Sequence, residues 1–388
     1  LTGGERGGLF KALEDGSVDI LLTTPEFLGY HMEKIKANSN VNFFVVDESH
    51  HIADTHRPAY RRLGELKAQL GNPLTLAVTA TANDEVADNI VDTLGINNVI
   101  IDQHIRENLE IIDCRNMFDK SGYLKQVVGS GAKTIIYVNS RMQTVELAML
   151  LRDAIPEMRN KVIFYHAGLS SEQRVKVEEM FRNSEVTTVV STSAFGEGID
   201  ITDVRHVVVF HLNFNFTEFN QQCGRCGRDG QRAQIHLLCG ERDARINEFI
   251  LEQSCPDRDI LAAIYRTLSK MGKEIQATND DLAGGLSRTT GKKIDGGAVS
   301  AGLGILEELG LIEREGFGAA RRIYVCDVPD GKLDLSQSMR YAEGQEEKRA
   351  FQNFKDFFLA NKSQKLRDLI NRPIYPEKYL QEELKSVV

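Results

Sequence analysis

No apolar run in this 388-residue chain approaches the roughly 20 residues that span a bilayer as a helix. No signal-peptide pattern opens it, so no membrane partner is expected. Cysteine is sparse. The six present show no disulfide-like framework, which excludes a stapled extracellular scaffold and points to a reducing, cytoplasmic location. A surplus of positive charge is also missing: 47 Lys and Arg stand against 56 Asp and Glu, for a net charge of −9 and a pI near 5.6. A wholly basic coat is excluded, and any nucleic-acid contact has to be local and strongly salt dependent. The phosphate loop G-x-x-x-x-G-K-[ST] is absent as well. Gly129-Ser130-Gly131-Ala132-Lys133-Thr134 comes nearest, but Ala132 precedes the lysine and a strand follows where a helix should open.

What is present is a chain with 41% hydrophobic residues, enough for two or three cored domains. Residues 1–112 alternate strands and helices. The strands are expected at Val18–Thr23, Phe43–Val46 and Leu74–Val78, and a helix at Asp84–Leu94 ends on Gly95. Residues 113–245 repeat the alternation with strand-like runs at 134–138, 162–165, 187–191, 206–210 and 234–239. Ser170 and Gln173 sit in capping-box register at the head of a helix reaching Phe181. Over 256–328 the pattern becomes three helices (Asp257–Met271, Asp280–Leu286, Gly297–Leu309) and a hairpin, the plan of a winged helix. A helical tail occupies 329–388. Its Phe351, Phe354, Phe357 and Phe358 are expected to pack against a core, because stacking on bases requires exposure.

The run Val45-Val46-Asp47-Glu48-Ser49-His50 carries the most chemistry. Carboxylates at the carboxyl end of a buried parallel strand sit where an α/β sheet binds its ligand. Asp47 is the candidate to hold Mg²⁺ through water, and Glu48 the candidate base for an attacking water. In Gln221-Gln222-Cys223-Gly224-Arg225-Cys226-Gly227-Arg228-Asp229-Gly230, two guanidinium groups lie three residues apart. Such planar, permanent cations suit charge developing on a phosphate. Gly196, Gly198 and Asp200 form a tight loop after a strand, where glycines allow close ligand approach and Asp200 could accept from a ribose hydroxyl. Cys223 and Cys226 have metal spacing but lack a second pair nearby, and zinc needs four ligands; no zinc is expected.

Taken in order, these motifs, with Leu22-Thr23-Thr24-Pro25-Glu26, Thr79-Ala80-Thr81-Ala82, Thr134 to Arg141, and Tyr165-His166-Ala167-Gly168-Leu169, resemble the motif set of superfamily-2 helicases. Arg57 to Leu66 and Arg106-Glu107-Asn108-Leu109 narrow the resemblance to the RecQ family. It covers roughly residues 9–245. It implies tandem RecA-like parallel-sheet domains, the first one partial, with ATP and Mg²⁺ as cofactors and DNA, single-stranded or with single-strand junctions, as partner. It makes Arg228 an arginine finger supported by Arg225, has His50 relay nucleotide state, and places Gln221 at the nucleotide. Thr24, Asn139, Ser140, Arg141, His166 and Thr192 match positions facing the DNA backbone, where hydroxyls, amides and arginine suit phosphate contacts. Arg321 and Arg322 on the wing are further DNA candidates, because the helix Gly297–Leu309 carries Glu307 and Glu308 but no basic residue.

Three departures qualify the likeness. Glu197 stands where RecQ proteins usually carry methionine. The segment 52–58 lacks the aromatics that couple DNA binding to hydrolysis in that family. The family's phosphate loop would lie upstream of Leu1, so the chain is expected to be a C-terminal fragment, inactive alone, of a helicase serving DNA repair or recombination. The stretches Leu333 to Tyr341 and Asn371-Arg372-Pro373-Ile374 resemble the C-terminal region of RecJ-type single-strand exonucleases, which implies a fused or associated exonuclease. The Asp-His-His run of such a nuclease is absent. The competing expectation is a non-catalytic DNA-binding or scaffolding part of that exonuclease.

Overall fold

The computed structural model describes residues 3–53, 58–80, 82–102, 105–195, 200–316, 321–326, 333–371 and 375–380. It forms two units, one of Leu1–Ile105 with Arg372–Val388 and one of Arg106–Asn371.

In the first unit, β1 (Phe43–Val46) and β2 (Leu74–Ala77) pair in parallel, Phe43 opposite Leu74 and Val46 opposite Ala77. Helices Pro25–Asn38, Leu63–Gln69 and Asp84–Leu94 bury Leu28, Ile35, Leu66, Ile90 and Leu94 with Val46. The last helix has the ends its sequence specifies. The Asn83 side chain accepts from Val86 N, and Gly95 closes it at φ 61, a left-handed conformation that suits glycine. Val18–Thr23 is not a strand. Among the described residues β1 pairs only with β2, so this run has no ladder to join, and Ile20 and Leu22 are 80% and 91% exposed. Residues 375–380 settle on the helix Asp84–Leu94, where Lys378 Nζ and Tyr379 Oη both reach Asp88 Oδ1, at 2.9 and 2.7 Å.

The second unit holds a six-stranded parallel sheet of β3 (Leu109–Asp113), β4 (Thr134–Tyr137), β5 (Val162–Tyr165), β6 (Thr188–Ser191), β7 (His206–Val209) and β8 (Ala233–Leu237), in the order β3-β8-β7-β4-β6-β5. Side chains alternate between its faces, and both faces are covered. Ile135, Val189, Val207 and Ile235 enter one core; Ile136, Val190, Val208 and Leu238 enter the other. This explains the near-continuous apolar runs. The sheet begins at Leu109, ahead of the boundary expected at 113. Among the described residues the edge strand β3 pairs only with β8, and edge position lets it carry Glu110 and Asp113. The capping box is present at Ser170 and Gln173.

Beyond helix Glu241–Ser254 come helices Arg258–Met271, Asn279–Thr290 and Gly296–Glu308, with β9 (Glu274–Ile275), β10 (Ile312–Glu315) and β11 (Arg322–Val325). The hairpin β10-β11 is antiparallel, and β11 also pairs with the two-residue β9, too short to be read from sequence. Helix Gly296–Glu308 is buried over Ala298–Val299 and Gly302–Leu306 and exposed at Gly297, Ser300 and Glu308. A Cβ at Gly302 would strike Ile264, and one at Gly304 would lie 3.1 Å from Arg340 Nη1. Tail helix Met339–Ala360 buries Phe351, Phe354 and Phe358 in the core that contains Phe219. The Phe219 ring lies 5.6 Å from that of Phe354 and 5.7 Å from that of Phe358, so the phenylalanines pack, as expected.

Candidate nucleotide and DNA sites

Most of the motif residues follow the carboxyl ends of strands, while Thr24 heads a helix and the arginine motif sits on and after one. In the first unit, Asp47 and Glu48 follow β1 and are exposed. Val78 N donates to Val46 O at 2.9 Å and Ser49 N donates to Val78 O at 2.9 Å, which pins the turn to β2. Glu48 has φ 48, a left-handed conformation uncommon for a residue with a side chain. It turns the chain sharply, and Glu48 N donates to Asp47 Oδ1 at 2.9 Å. His50 Nδ1 lies 3.0 Å from Thr79 Oγ1 and 3.3 Å from Glu48 Oε2. One imidazole thus joins the acidic motif to Thr79 of the motif after β2; Thr81 lies outside the described residues. Thr24 is exposed and caps helix Pro25–Asn38 by accepting from Phe27 N.

In the second unit two clusters form. β4, β6 and β5 are neighbours, so the residues that follow them share one edge: Asn139, Ser140 and Arg141 after β4, His166 after β5, Thr192 after β6. Ser140 caps helix Arg141–Ala154 by accepting from Gln143 N. His166 Nδ1 accepts from Gly168 N at 3.2 Å. A Cβ built on Gly168 would meet His166 Nδ1 at 3.1 Å and Arg141 Nη1 at 3.4 Å; the glycine therefore lets these two side chains close around it. Thr192 is half-buried, and its carbonyl accepts from Ser191 Oγ at 2.7 Å. Asn139 differs from the expectation of a DNA-facing amide. Its Nδ2 points inward, donating to Leu212 O at 3.0 Å and Asn247 Oδ1 at 2.7 Å.

The second cluster is the arginine motif. Helix Phe216–Cys223 carries Gln221 exposed, and Arg225 after it is half-buried. Arg228 Nη1 pairs with Asp200 Oδ1 at 3.1 Å. Gly196 and Gly198, with Glu197, lie outside the described residues. Sequence reasoning missed what holds this loop. Arg106 Nη1 donates to Gly224 O at 2.9 Å and its Nη2 to Cys226 O, while Asn108 Nδ2 donates to Gly227 O at 2.7 Å and Gln231 O at 2.8 Å. Gly227 takes φ 56, and a Cβ there would stand 2.7 Å from that of Ala233. The run Arg106 to Leu109 was visible as a motif, but its partners more than a hundred residues away were not. Cys223 and Cys226 are fully buried. Burial pushes the Cys226 thiol up to about 12, and its Sγ lies 3.3 Å from Gln234 O. These thiols serve the core.

On the hairpin, Arg321 Nη1 donates to Asn279 Oδ1 at 2.9 Å and Nη2 to Ala277 O at 3.0 Å. Arg322 pairs with Glu274 at 2.7 Å, both half exposed.

Residues 1–90 match the family described as DEAD/DEAH box helicase, and residues 119–230 match the helicase conserved C-terminal domain. The probable ATP-dependent DNA helicase RecS of Bacillus subtilis (strain 168) is 31% identical over 265 residues, covering 64% of this chain and 52% of that protein. The ATP-dependent DNA helicase RecQ of the same strain is 31% identical over 257 residues, covering 63% and 42%. In sequence the chain is similar to RecQ-type helicases, and it spans about half or less of the length of these two relatives. A helicase Lhr of Mycobacterium smegmatis, solved bound to ssDNA and AMP-PNP, superposes with TM-score 0.51 at 17% identity, over 84% of this chain and 46% of that one. That likeness establishes the fold, parallel-sheet RecA-like domains in tandem with a helical C-terminal part. Nothing in these comparisons supports the RecJ-type resemblance of the C-terminal region.

Proposed function

We propose that the chain is part of an ATP-dependent DNA helicase of RecQ type, which couples ATP hydrolysis to movement along DNA in repair or recombination. The observation that carries this is placement. In both α/β units, Asp47, Glu48, Thr79, Asn139, Ser140, Arg141, His166 and Thr192 follow the carboxyl ends of parallel strands, where such sheets bind ligands.

The residues fit the cofactors. Asp47 has one oxygen engaged by Glu48 N and is otherwise exposed, which suits Mg²⁺ held largely by water and phosphate. When bound, Mg²⁺–ATP would supply the phosphoryl group and the charge that neutralises it. Glu48 would orient water, and His50 would report the state of the acidic turn to Thr79. Arg228, freed from Asp200, would meet charge on the phosphate with Arg225 behind it. Gln221 would stand at the nucleotide beside them, and Gly196 and Gly198 would let the backbone approach it closely. Thr24, Ser140, Arg141, His166 and Thr192 would contact the DNA backbone. Residues 256–328 would serve as a winged-helix-like domain, in which half-exposed Arg322 is the better DNA candidate because Arg321 is held by Asn279 and Ala277. A phosphate-binding loop is not among these 388 residues, so the chain alone should not turn over ATP. The test is steady-state hydrolysis with and without single-stranded DNA. DNA-stimulated turnover that Glu48→Gln abolishes would overturn the inactivity of the chain alone.

A further inference from the structure

Asn247 is fully buried on helix Glu241–Ser254, where no motif calls for an amide. Its Nδ2 donates to Leu212 O at 2.7 Å, and its Oδ1 accepts from Asn139 Nδ2 at 2.7 Å. The Asn139 amide bridges back to the same Leu212 O at 3.0 Å. One residue further along the main chain of that loop, the arrangement continues: Ser140 caps the helix that starts with Arg141. The Asn139 main-chain N–H is held too, by His211 Nδ1 at 3.2 Å. His211 is 4% exposed, and burial lowers its pKa to about 4, so Nδ1 stays an acceptor at neutral pH.

The same helix is anchored one turn earlier. Asp243 accepts from Gly240 N at 2.7 Å and from Lys120 Nζ at 2.9 Å. Asp243 and Asn247 are four apart and share a helix face. That face is directed at the carboxyl end of the sheet. A buried amide engaged at both its nitrogen and its oxygen is specific in a way an apolar residue is not, because leaving its partners unpaired is penalised.

We propose that Asn247 is a positioning residue for DNA binding: with His211 it fixes the turn Asn139–Ser140, and so sets where Arg141 stands beside His166. The proposal rests on the reading of Arg141 as a DNA contact. It also ties the DNA-facing edge of the sheet to a helix outside the strand-end motifs.

The experiment uses the full chain and an oligo-dT probe, with affinity measured by anisotropy across a salt series, and hydrogen exchange measured in parallel. Asn247→Ala should raise exchange in peptides spanning 138–146 while β6 and β7 stay protected. It should weaken oligo-dT binding about twofold to fivefold, the scale of one exposed charge contact. It should also flatten the salt slope by about 0.7, one phosphate contact on a single strand. Adding Arg141→Ala to Asn247→Ala should then produce no loss beyond that of Arg141→Ala alone, an outcome that general destabilisation would not give. Asn139→Ala breaks the same tie from its less buried side, and covers the case in which Asn247→Ala does not fold. Unchanged exchange at 138–146, or additive losses in the double variant, overturns the positioning role. No binding by the native chain, or an unaffected Arg141→Ala, overturns the DNA reading instead.

Discussion

Arg228 and Asp200 form an ion pair, Nη1 to Oδ1 at 3.1 Å, with the carboxylate 76% exposed. The guanidinium expected to act on a phosphate is thus held by a carboxylate that a ligand can replace. Exposed pairs of this kind contribute little, about 0–1 kcal/mol, so the exchange of partners is energetically easy. In a form of the protein that hydrolyses ATP, Arg228→Ala should leave nucleotide affinity nearly intact and slow turnover about 10³-fold or more. Equilibrium binding of a fluorescent nucleotide beside steady-state turnover checks this. A slowdown of only a few-fold would remove Arg228 from the reaction.

Gly168→Ala should disturb the sheet edge that carries Arg141 and His166 without touching the core. The added methyl would sit 3.1 Å from His166 Nδ1, tighter than ordinary contact, so the imidazole must give way slightly and the bond from Gly168 N is strained. Oligo-dT affinity should fall by a few-fold with the thermal midpoint nearly unchanged. Equal affinity would show that the His166 position does not matter to DNA.

Arg321 and Arg322 should separate cleanly. Arg321→Ala removes two hydrogen bonds to the start of helix Asn279–Thr290 and should destabilise that domain by about 1–3 kcal/mol. Arg322→Ala should barely change stability. If the hairpin touches duplex, it should lower the salt slope by about 0.9. Urea melts and salt titrations of both variants decide it, and an unaltered slope in Arg322→Ala would assign the hairpin to protein contacts.

His236 is 3% exposed. It lies between Tyr123 Oη at 2.7 Å and His206 Nδ1 at 3.0 Å. Burial, followed by the neighbouring His206, lowers its pKa to about 4. The folded value is below the unfolded one, so the unfolded chain takes up the proton first. Stability is retained above about pH 6.5 and lost as pH falls from there toward 4, by about 1.4 kcal/mol per pH unit for this group. His236→Gln cannot take up that proton and should flatten the loss in unfolding measured between pH 7 and 4.5. An identical pH slope in the variant would assign the loss to other groups.

Phe354→Ala should be the most destabilising of these changes, about 3–5 kcal/mol. Phe354 is fully buried and meets the rings of Phe216, Phe219 and Phe358. Chemical denaturation checks the size. A loss under about 1 kcal/mol would mean that the tail helix is only loosely seated.

Much of this was legible because local rules and global fold agree. Asn83 with Gly95, and Ser170 with Gln173, mark helix ends by short-range hydrogen bonds, and the strands of the second sheet announce themselves by burial on both faces. Val18–Thr23 misled because an apolar run describes a strand only if a neighbour exists to pair with it. β3 escaped because an edge strand tolerates charge. At the sites, residue type indicated chemistry but not direction. Asn139 could equally face DNA or the interior, and only Asn247 and Leu212, far along the chain, decide between them. Arg321 looked like a free cation for the same reason; its acceptors at Ala277 and Asn279 are more than forty residues away.

The buried stretch of helix Gly296–Glu308 has one more consequence. In a domain that reads bases, the helix entering the groove is where specificity can be rewritten, since its outward side chains answer only to the nucleic acid. Here Gly302 and Gly304 have Ile264 and Arg340 against them, and five consecutive residues from Gly302 to Leu306 are buried. The outward vocabulary of this helix is short, with Gly297, Ser300 and Glu308 as the exposed positions. A library randomised over Gly302 to Leu306 should therefore return mostly unfolded protein rather than new binding preferences.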